Sequence, residues 1–86
     1  MEVAYTKKAK DDIAFWKTSG NKKIQTKISE LITSITQTPF EGIGKPEPLK
    51  HNLAGSWSRR INQEHRIVYE VTDNKILIHS LKGHYL

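Results

Sequence analysis

The N-terminal part of the chain combines a strand pattern with a helix pattern. Val3 and Tyr5 stand at alternate positions, which predicts a short strand. The hydroxyl of Thr6 suits the N-cap of a first helix that extends to about residue 18. The apolar stripe of this helix comprises Ala9, Ile13 and Trp16.

A second and stronger helical pattern follows Ser19, Gly20 and Asn21, which stop one helix and cap the next. Its apolar residues recur at i, i+4, i+7, i+8 and i+11, and they are Ile24, Ile28, Leu31, Ile32 and Ile35. The spacing predicts an amphipathic helix over residues 22–36. Pro39 ends it, because the residue before a proline is pushed out of helical geometry.

The C-terminal half consists of a loop followed by short strands. Residues 39–48 hold all three prolines and two of the five glycines, so neither a helix nor a central strand is expected there. Four strands are predicted after this loop, near residues 49–53, 57–61, 65–71 and 75–81. The whole chain, 1–86, is expected to form one domain with a thin core, and any active site to be an open groove.

The turn between the strands at 57–61 and 65–71 decides which side chains share a face. A three-residue connection pairs Arg60 with Arg66. One face is then apolar and able to cover the helices, with Trp57, Ile61, Ile67, Tyr69 and Val71. The other carries Ser58, Arg60, Arg66, Val68 and Glu70. Like charges directly opposite destabilise a sheet, so a bridging anion such as phosphate best explains the arginine pair. A two-residue turn would instead put the arginines on opposite faces.

Composition narrows the partners and the chemistry. Fourteen Lys and Arg against nine Asp and Glu give a formal charge of +5 and a pI near 9.6, which favours polyanions, whether nucleic acid or an acidic protein. The chain has no cysteine, which excludes thiolate chemistry and cysteine zinc sites. No apolar stretch resembles a signal peptide or a membrane span, so a soluble cytoplasmic protein without a membrane partner is expected.

Candidate chemical groups concentrate in the C-terminal half. Every arginine and histidine lies beyond residue 50, and guanidinium together with imidazole suits phosphoester chemistry. Glu47, held between two prolines, is a candidate general base, with a solvated loop acid as the alternative. Lys50 either grips phosphate or is simply solvated. Arg59 falls on the apolar face, where a structural role is expected, with its stem packed and its head reaching solvent.

The histidines show no metal-ligand spacing, so no metal site and no cofactor is expected. Solvent or core-edge packing is expected for three of them, His51, His65 and His79. His84 and Tyr85 lie beyond Gly83, which would let the tail bend back across the polar face, whereas a terminal pair of this kind is usually frayed.

One long motif resembles a known family. The chain reads TPFEGIGKPEPLKHNLAGSWSRRINQEHRIVYEVTD and later HY, which resembles the YoeB/Txe toxins of bacterial type II toxin–antitoxin modules almost from end to end. That family belongs to the RelE/ParE superfamily, whose α+β fold is a small antiparallel sheet covered on one face by two N-terminal helices. The resemblance implies an mRNA interferase, a ribosome-dependent endonuclease that cuts mRNA in the A site of the 70S ribosome and is held inactive by a cognate antitoxin. Codon preference, and whether the protein acts as a monomer or a homodimer, stay open.

Carried over position by position, the resemblance also implies roles for six residues. The glutamate of KPEP, Glu47, would be the general base, the arginine of EHR, Arg66, the phosphate stabiliser, and the histidine of HY, His84, the general acid. Matching substrate-binding positions are Lys50, Arg60 and Tyr85. The implied attack of a ribose 2′-hydroxyl on the adjacent phosphate needs no metal.

Two features depart from the family pattern, and two other functions stay open. Leu86 follows the usual terminal tyrosine, and Gly83 replaces the bulkier residue often found before the histidine, which would loosen the tail. Relatives of the ParE type share the scaffold but poison DNA gyrase by binding, and they generally lack the acid–base pair of Glu47 and His84. A module that only binds nucleic acid would need basic charge alone.

Overall fold

Residues 1–84, which the computed structural model describes, form two helices and five strands. In chain order they are β1 (Glu2–Tyr5), α1 (Lys7–Ser19), α2 (Lys22–Gln37), β2 (Glu47–Pro48), β3 (Ser56–Arg60), β4 (Arg66–Thr72) and β5 (Lys75–Ser80). A short 3-10 turn, His51–Leu53, lies between β2 and β3. The α+β class expected from the sequence is confirmed.

Local capping defines the two helices. The Thr6 hydroxyl accepts a hydrogen bond of 3.1 Å from the Ala9 amide at the start of α1, and Gly20 ends that helix in the left-handed conformation, with φ of 73°. The Asn21 side chain then accepts from the Ile24 amide at 3.1 Å and starts α2. The predicted stop and fresh cap are both confirmed. Within the described part of the chain, neither helix is long and apolar enough to cross a membrane.

The core lies between the helices and one face of the sheet. Its buried members from the helices are Ala9, Trp16, Ile24, Ile28, Leu31 and Ile35, and those from the strands and adjoining residues are Ile61, Ile67, Tyr69, Ile76, Ile78 and Leu81. The opposite face, here called the uncovered face, carries Ser58, Arg60, Arg66, Val68 and Glu70, as the alternation along β3 and β4 predicted, although Ser58 and Val68 are buried. Any groups that act on a large substrate therefore belong on this side.

The strands are ordered β1-β5-β4-β3-β2. β3 and β4 are antiparallel and pair Arg60 with Arg66, which confirms the three-residue connection and excludes the two-residue turn. β1 instead runs parallel to β5, with Val3 opposite Ile76. The helix α1 follows β1 directly, so β1 cannot form a hairpin with the next strand. Parallel strands need a long connection, and here the elements from α1 to β4 provide it. The sheet is therefore mixed rather than wholly antiparallel.

The strand predicted at residues 49–53 is wrong. The chain forms the 3-10 turn there, with the Leu53 amide donating to the Lys50 carbonyl at 3.1 Å. The strand lies earlier, at Glu47–Pro48. β2 is an edge strand, where the missing amide of a proline costs no interstrand hydrogen bond, so the proline-rich loop still permits it.

Arg59 lies wholly inside the protein, contrary to the expectation that its head reaches solvent. Its guanidinium donates hydrogen bonds to the hydroxyls of Tyr69 (3.2 Å) and Ser34 (2.7 Å) and to the carbonyls of Ile43 (3.1 Å), Thr38 (2.6 Å) and Glu41 (2.9 Å). The structural role is confirmed, but loop carbonyls replace water as the partners. Burial raises the pKa of the Tyr69 phenol, and the neighbouring Arg59 guanidinium opposes that rise.

Candidate active site

Glu47 reaches the uncovered face from the edge strand β2. Its Cα lies opposite Ser58 of β3, and directly opposed residues in an antiparallel pair point to the same side of the sheet. The Arg60 amide donates to the Gly44 carbonyl at 2.7 Å, so the loop is also tied to β3 ahead of the carboxylate. Glu47 is exposed, and the fixed φ angles of the prolines on either side limit how far it can move.

Lys50 lies just after β2 and is exposed. Together with Glu47 it lines a shallow depression of about 260 Å³ formed by residues 47–53. His51 turns the chain at this point, with φ of 58°, and is exposed, as predicted. An ammonium on the wall that holds the carboxylate suits a phosphate that approaches Glu47.

Arg60 and Arg66 lie opposite each other on β3 and β4, the first exposed and the second half-buried. The Nη1 of Arg66 donates to carbonyls of the turn between the strands, at 2.7 Å to Asn62 and 3.2 Å to His65. The turn therefore orients this guanidinium before any ligand binds. Arg60 is the diagonal neighbour of Glu47, which corresponds to a Cα separation of roughly 7–8 Å, within reach of both side chains.

The C-terminal segment returns to the same corner of the sheet. The Arg66 amide donates to the Gly83 carbonyl at 3.0 Å, which brings the next residue, His84, to the start of β4. His84 is exposed. Gly83 has a φ of 87°, a conformation that glycine adopts without strain, and hydrogen bonds hold its backbone, contrary to the expected loosening of the tail. Tyr85 and Leu86 lie outside the described residues.

Two side chains of α1 hold the C-terminal segment at Leu81, two residues before Gly83. The Leu81 amide donates to the Asp12 carboxylate at 2.9 Å, and the Leu81 carbonyl accepts from Nε1 of Trp16 at 2.9 Å. Asp12 and Trp16 are both buried. The apolar stripe predicted for α1 includes Trp16 but gives its indole no hydrogen-bonding role. The sequence signal for that role is the aspartate four residues before the tryptophan, on the same face of the helix.

His65 packs at the edge of the core, as predicted, and it also bonds the C-terminal segment. Its Nδ1 accepts from the Gly83 amide at 2.9 Å, and its ring meets Trp16 edge to face with centroids 4.9 Å apart. Its Nε2 lies 3.7 Å from the Glu64 carboxylate. No pattern in the sequence predicts this contact to Gly83, because the two residues lie 18 positions apart.

His79 pairs with Glu70 on the uncovered face, where Nε2 and Oε1 are 2.8 Å apart. The expectation was that His79 meets only solvent or the edge of the core, whereas the Glu70 carboxylate also holds its half-exposed imidazole. Glu70 stands four residues along β4 from Arg66, roughly 13 Å away at the rise of an extended strand. The pair is therefore separate from the corner that holds the arginines.

The geometry brings Glu47, Arg60, Arg66 and the start of the His84 tail to one corner of an open face, with Lys50 on its wall. This arrangement combines a group that can accept a proton, one that can donate a proton, and cations that can hold phosphate oxygens. It is suited to phosphoester cleavage in a polymer that lies across the sheet.

Comparison with known proteins agrees with this architecture. The family model for the YoeB-like toxin of bacterial type II toxin–antitoxin systems matches residues 5–85. Toxin YoeB of Escherichia coli K12 is 52% identical over 85 residues, which cover 99% of this chain and 100% of the relative.

Solved structures give the same result. The YoeB/ParE toxin from Agrobacterium tumefaciens has a TM-score of 0.93 at 41% identity, covering 99% of this chain and 100% of that one. YoeB from Staphylococcus aureus, solved in a YoeB–YefM complex and as a dimer, has a TM-score of 0.88 in both, at 49% and 48% identity, covering 99% of this chain and 98% of those chains. The chain described here belongs to the YoeB-like toxin family of bacterial type II toxin–antitoxin systems.

Proposed function

We propose that this toxin is a ribosome-dependent mRNA endonuclease that cleaves mRNA in the ribosomal A site by metal-free acid–base chemistry. The observation that carries the proposal is the shared face of Glu47, Arg60 and Arg66, with the Gly83 carbonyl bonded to the Arg66 amide so that His84 follows at the same corner. Family membership supports the toxin role, and this corner supplies its chemistry.

The reaction involves two proton transfers, one from the substrate to Glu47 and one from His84 to the leaving group. Glu47 takes the proton of a ribose 2′-hydroxyl, and that oxygen attacks the adjacent phosphorus. The bond from phosphorus to the 5′-oxygen of the next nucleotide breaks, and His84 gives that oxygen a proton. The products are a 2′,3′-cyclic phosphate and a free 5′-hydroxyl.

Cations stabilise the charge that develops on the phosphate oxygens. Arg66, whose Nη1 is fixed by the turn carbonyls, acts with Arg60 across the strand pair. Lys50 and Tyr85 bind substrate around this centre. DNA lacks the attacking 2′-hydroxyl and is not cut.

Partners follow from the same proposal. A cognate antitoxin holds the toxin inactive, in line with the YoeB–YefM complex of Staphylococcus aureus, and the dimer of that YoeB supports a homodimer. The formal charge of +5 favours association with ribosomal RNA and mRNA in the cytoplasm.

The competing functions are a ParE-like toxin that binds DNA gyrase and a module that only binds nucleic acid. Neither needs a general base or a general acid. An exposed Glu47 on the arginine face and an exposed His84 beside the start of β4 favour the endonuclease, because binding alone is served by the basic residues.

The test is to induce the wild type and His84→Gln and to map mRNA 5′ ends with ribosomes present. New ends inside translated codons, formed by the wild type and strongly reduced in the variant, are expected. Growth arrest without new transcript ends would favour gyrase or another binding target and overturn the proposal.

A further inference from the structure

The backbone of Gly83 is bonded on both sides by two consecutive residues. The Arg66 amide donates to the Gly83 carbonyl at 3.0 Å, and the Gly83 amide donates to Nδ1 of His65 at 2.9 Å. His84 follows directly. The peptide plane that precedes the His84 side chain is thus fixed from the side on which β4 begins.

His65 is itself held firmly enough to act as an anchor. Only 12% of its side chain is exposed. Its ring packs edge to face on Trp16, which in turn donates to the Leu81 carbonyl at 2.9 Å. Since Nδ1 accepts a hydrogen bond, the neutral ring carries its proton on Nε2, the nitrogen that faces the Glu64 carboxylate at 3.7 Å.

We propose that His65 is a positioning residue for His84. It acts through the Gly83 amide and makes no contact with substrate, and it sets the direction in which the imidazole of His84 leaves the backbone. The inference rests on the proposed function, since only a chemical role for His84 gives its orientation a consequence. A displacement of about 1 Å in a reacting group can cost about a hundredfold in rate.

A structural role of the ring alone makes a different prediction, and two substitutions separate the two readings. His65→Phe keeps an aromatic ring against Trp16 but removes the acceptor for the Gly83 amide. His65→Asn loses the ring but has an amide oxygen that can stand where Nδ1 stood. If packing were all that mattered, the phenylalanine variant would be the less affected of the two.

The hydrogen bond is tested first in the wild-type protein by nuclear magnetic resonance. A scalar coupling between the Gly83 amide nitrogen and Nδ1 of His65, together with slow exchange of the Gly83 amide, is expected. Absence of the coupling with fast exchange would overturn the proposal without any variant.

Single-turnover cleavage on programmed ribosomes then tests the consequence. His65→Phe should lower kcat roughly ten- to a hundredfold with little change in KM, and His65→Asn should recover most of the loss. Melting temperatures show which variants are folded. Should His65→Phe fail to fold, His65→Gln takes its place, because its amide reaches the position of Nε2 rather than that of Nδ1.

His84→Gln keeps the failure of this inference distinct from failure of the proposed function. If His84→Gln cleaves as fast as the wild type, the role of His84 is wrong. If His84→Gln is slow while folded His65→Phe cleaves at the wild-type rate, or is slower in KM alone, only the positioning role of His65 is wrong.

Discussion

Arg60 and Arg66 stand in direct register on adjacent strands, with their side chains on the same face of the sheet. Two guanidiniums in this position repel each other, and such a pair lowers the stability of the sheet it occupies. A phosphate bound between them, as the proposed function requires, would offset the repulsion only when the anion is present. On that proposal, stability and substrate binding are opposed at this pair.

Neutralising one arginine should stabilise the free protein and weaken RNA binding. Arg60→Gln is expected to raise the free energy of unfolding by about 0.5 kcal/mol while lowering RNA affinity and the dependence of affinity on salt. Urea denaturation and binding titrations at several salt concentrations measure both. Lys17→Gln, at an exposed position of α1, removes the same charge and serves as the control. Equal changes in unfolding free energy for the two variants would contradict the repulsion between the paired arginines.

Removing either of the two proposed proton-transfer groups should abolish most of the proposed cleavage without unfolding the protein. Glu47→Gln and His84→Gln are each expected to reduce the single-turnover rate by about 10²- to 10⁴-fold. His79→Gln is the matched imidazole control, because His79 is bonded to Glu70 well away from the arginines. If His79→Gln lost as much activity as His84→Gln, the assignment of His84 as the general acid would be contradicted.

Gly44 shapes the loop that leads to Glu47, and alanine should not be tolerated there. A Cβ at this position would lie 2.7 Å from Cδ2 of Leu31, which is fully buried and cannot yield, and φ is 83°. Gly20 has a similar φ of 73° but open space around it.

The two glycines therefore make a matched pair. Gly20→Ala should cost about 1 kcal/mol of backbone strain, and Gly44→Ala about 1–3 kcal/mol more from overpacking. Thermal denaturation measures the difference, and similar losses for both variants would show that the loop moves freely.

Arg59 should prove important for stability, although its neighbour Arg60 is a candidate substrate-binding residue. Arg59→Lys keeps the charge but cannot reach the carbonyls of Thr38, Glu41 and Ile43 together, and each buried acceptor left unpaired costs about 1–3 kcal/mol. Urea denaturation should show a loss of at least about 3 kcal/mol. Arg60→Lys is the exposed control, and a loss in Arg59→Lys no larger than in this control would contradict the buried network.

Tyr69 should make stability fall at alkaline pH. Burial raises its pKa above the ordinary 10.0, so above pH 10.0 the unfolded chain loses the phenolic proton first and binds fewer protons than the folded state. Stability then decreases as pH rises through that range, and it is unaffected below it.

Tyr69→Phe is accordingly expected to be less stable than the wild type near neutral pH, because it loses the hydrogen bond of 2.6 Å to the Pro39 carbonyl. Above pH 10.0 the difference in unfolding free energy between the two proteins should become smaller. Unfolding free energies across this range, with Tyr5→Phe as the control, decide the matter. A constant gap would mean that Tyr69 does not titrate differently in the two states.

Local patterns predicted both helices and the central strand pair. The caps at Thr6 and Asn21 lie within three residues of the amides they satisfy, and the register of Arg60 and Arg66 follows from the length of one turn. Such features depend on neighbours in sequence, so they can be read without the fold. The family motif added implied roles for Glu47 and the two arginines, which remain predictions.

Contacts between segments that lie far apart in the chain could not be predicted from the sequence. The edge strand at Glu47–Pro48 depends on pairing with β3, and the burial of Arg59 depends on a loop that folds over it. The bonds from Asp12 and Trp16 to Leu81 join residues that only the finished fold brings together. Alternation and charge carry no information about such partners.

β1 lies at one edge of the sheet and pairs with β5, the last strand. During synthesis the first residues must wait for residues 75–80 to emerge before this pairing can form, and the tail that carries His84 docks on α1 and His65 only after them. A chain that is still being synthesised therefore lacks both the β1–β5 pair and the docked C-terminal segment, so the corner that carries Arg66 and His84 assembles only after residue 83 has emerged.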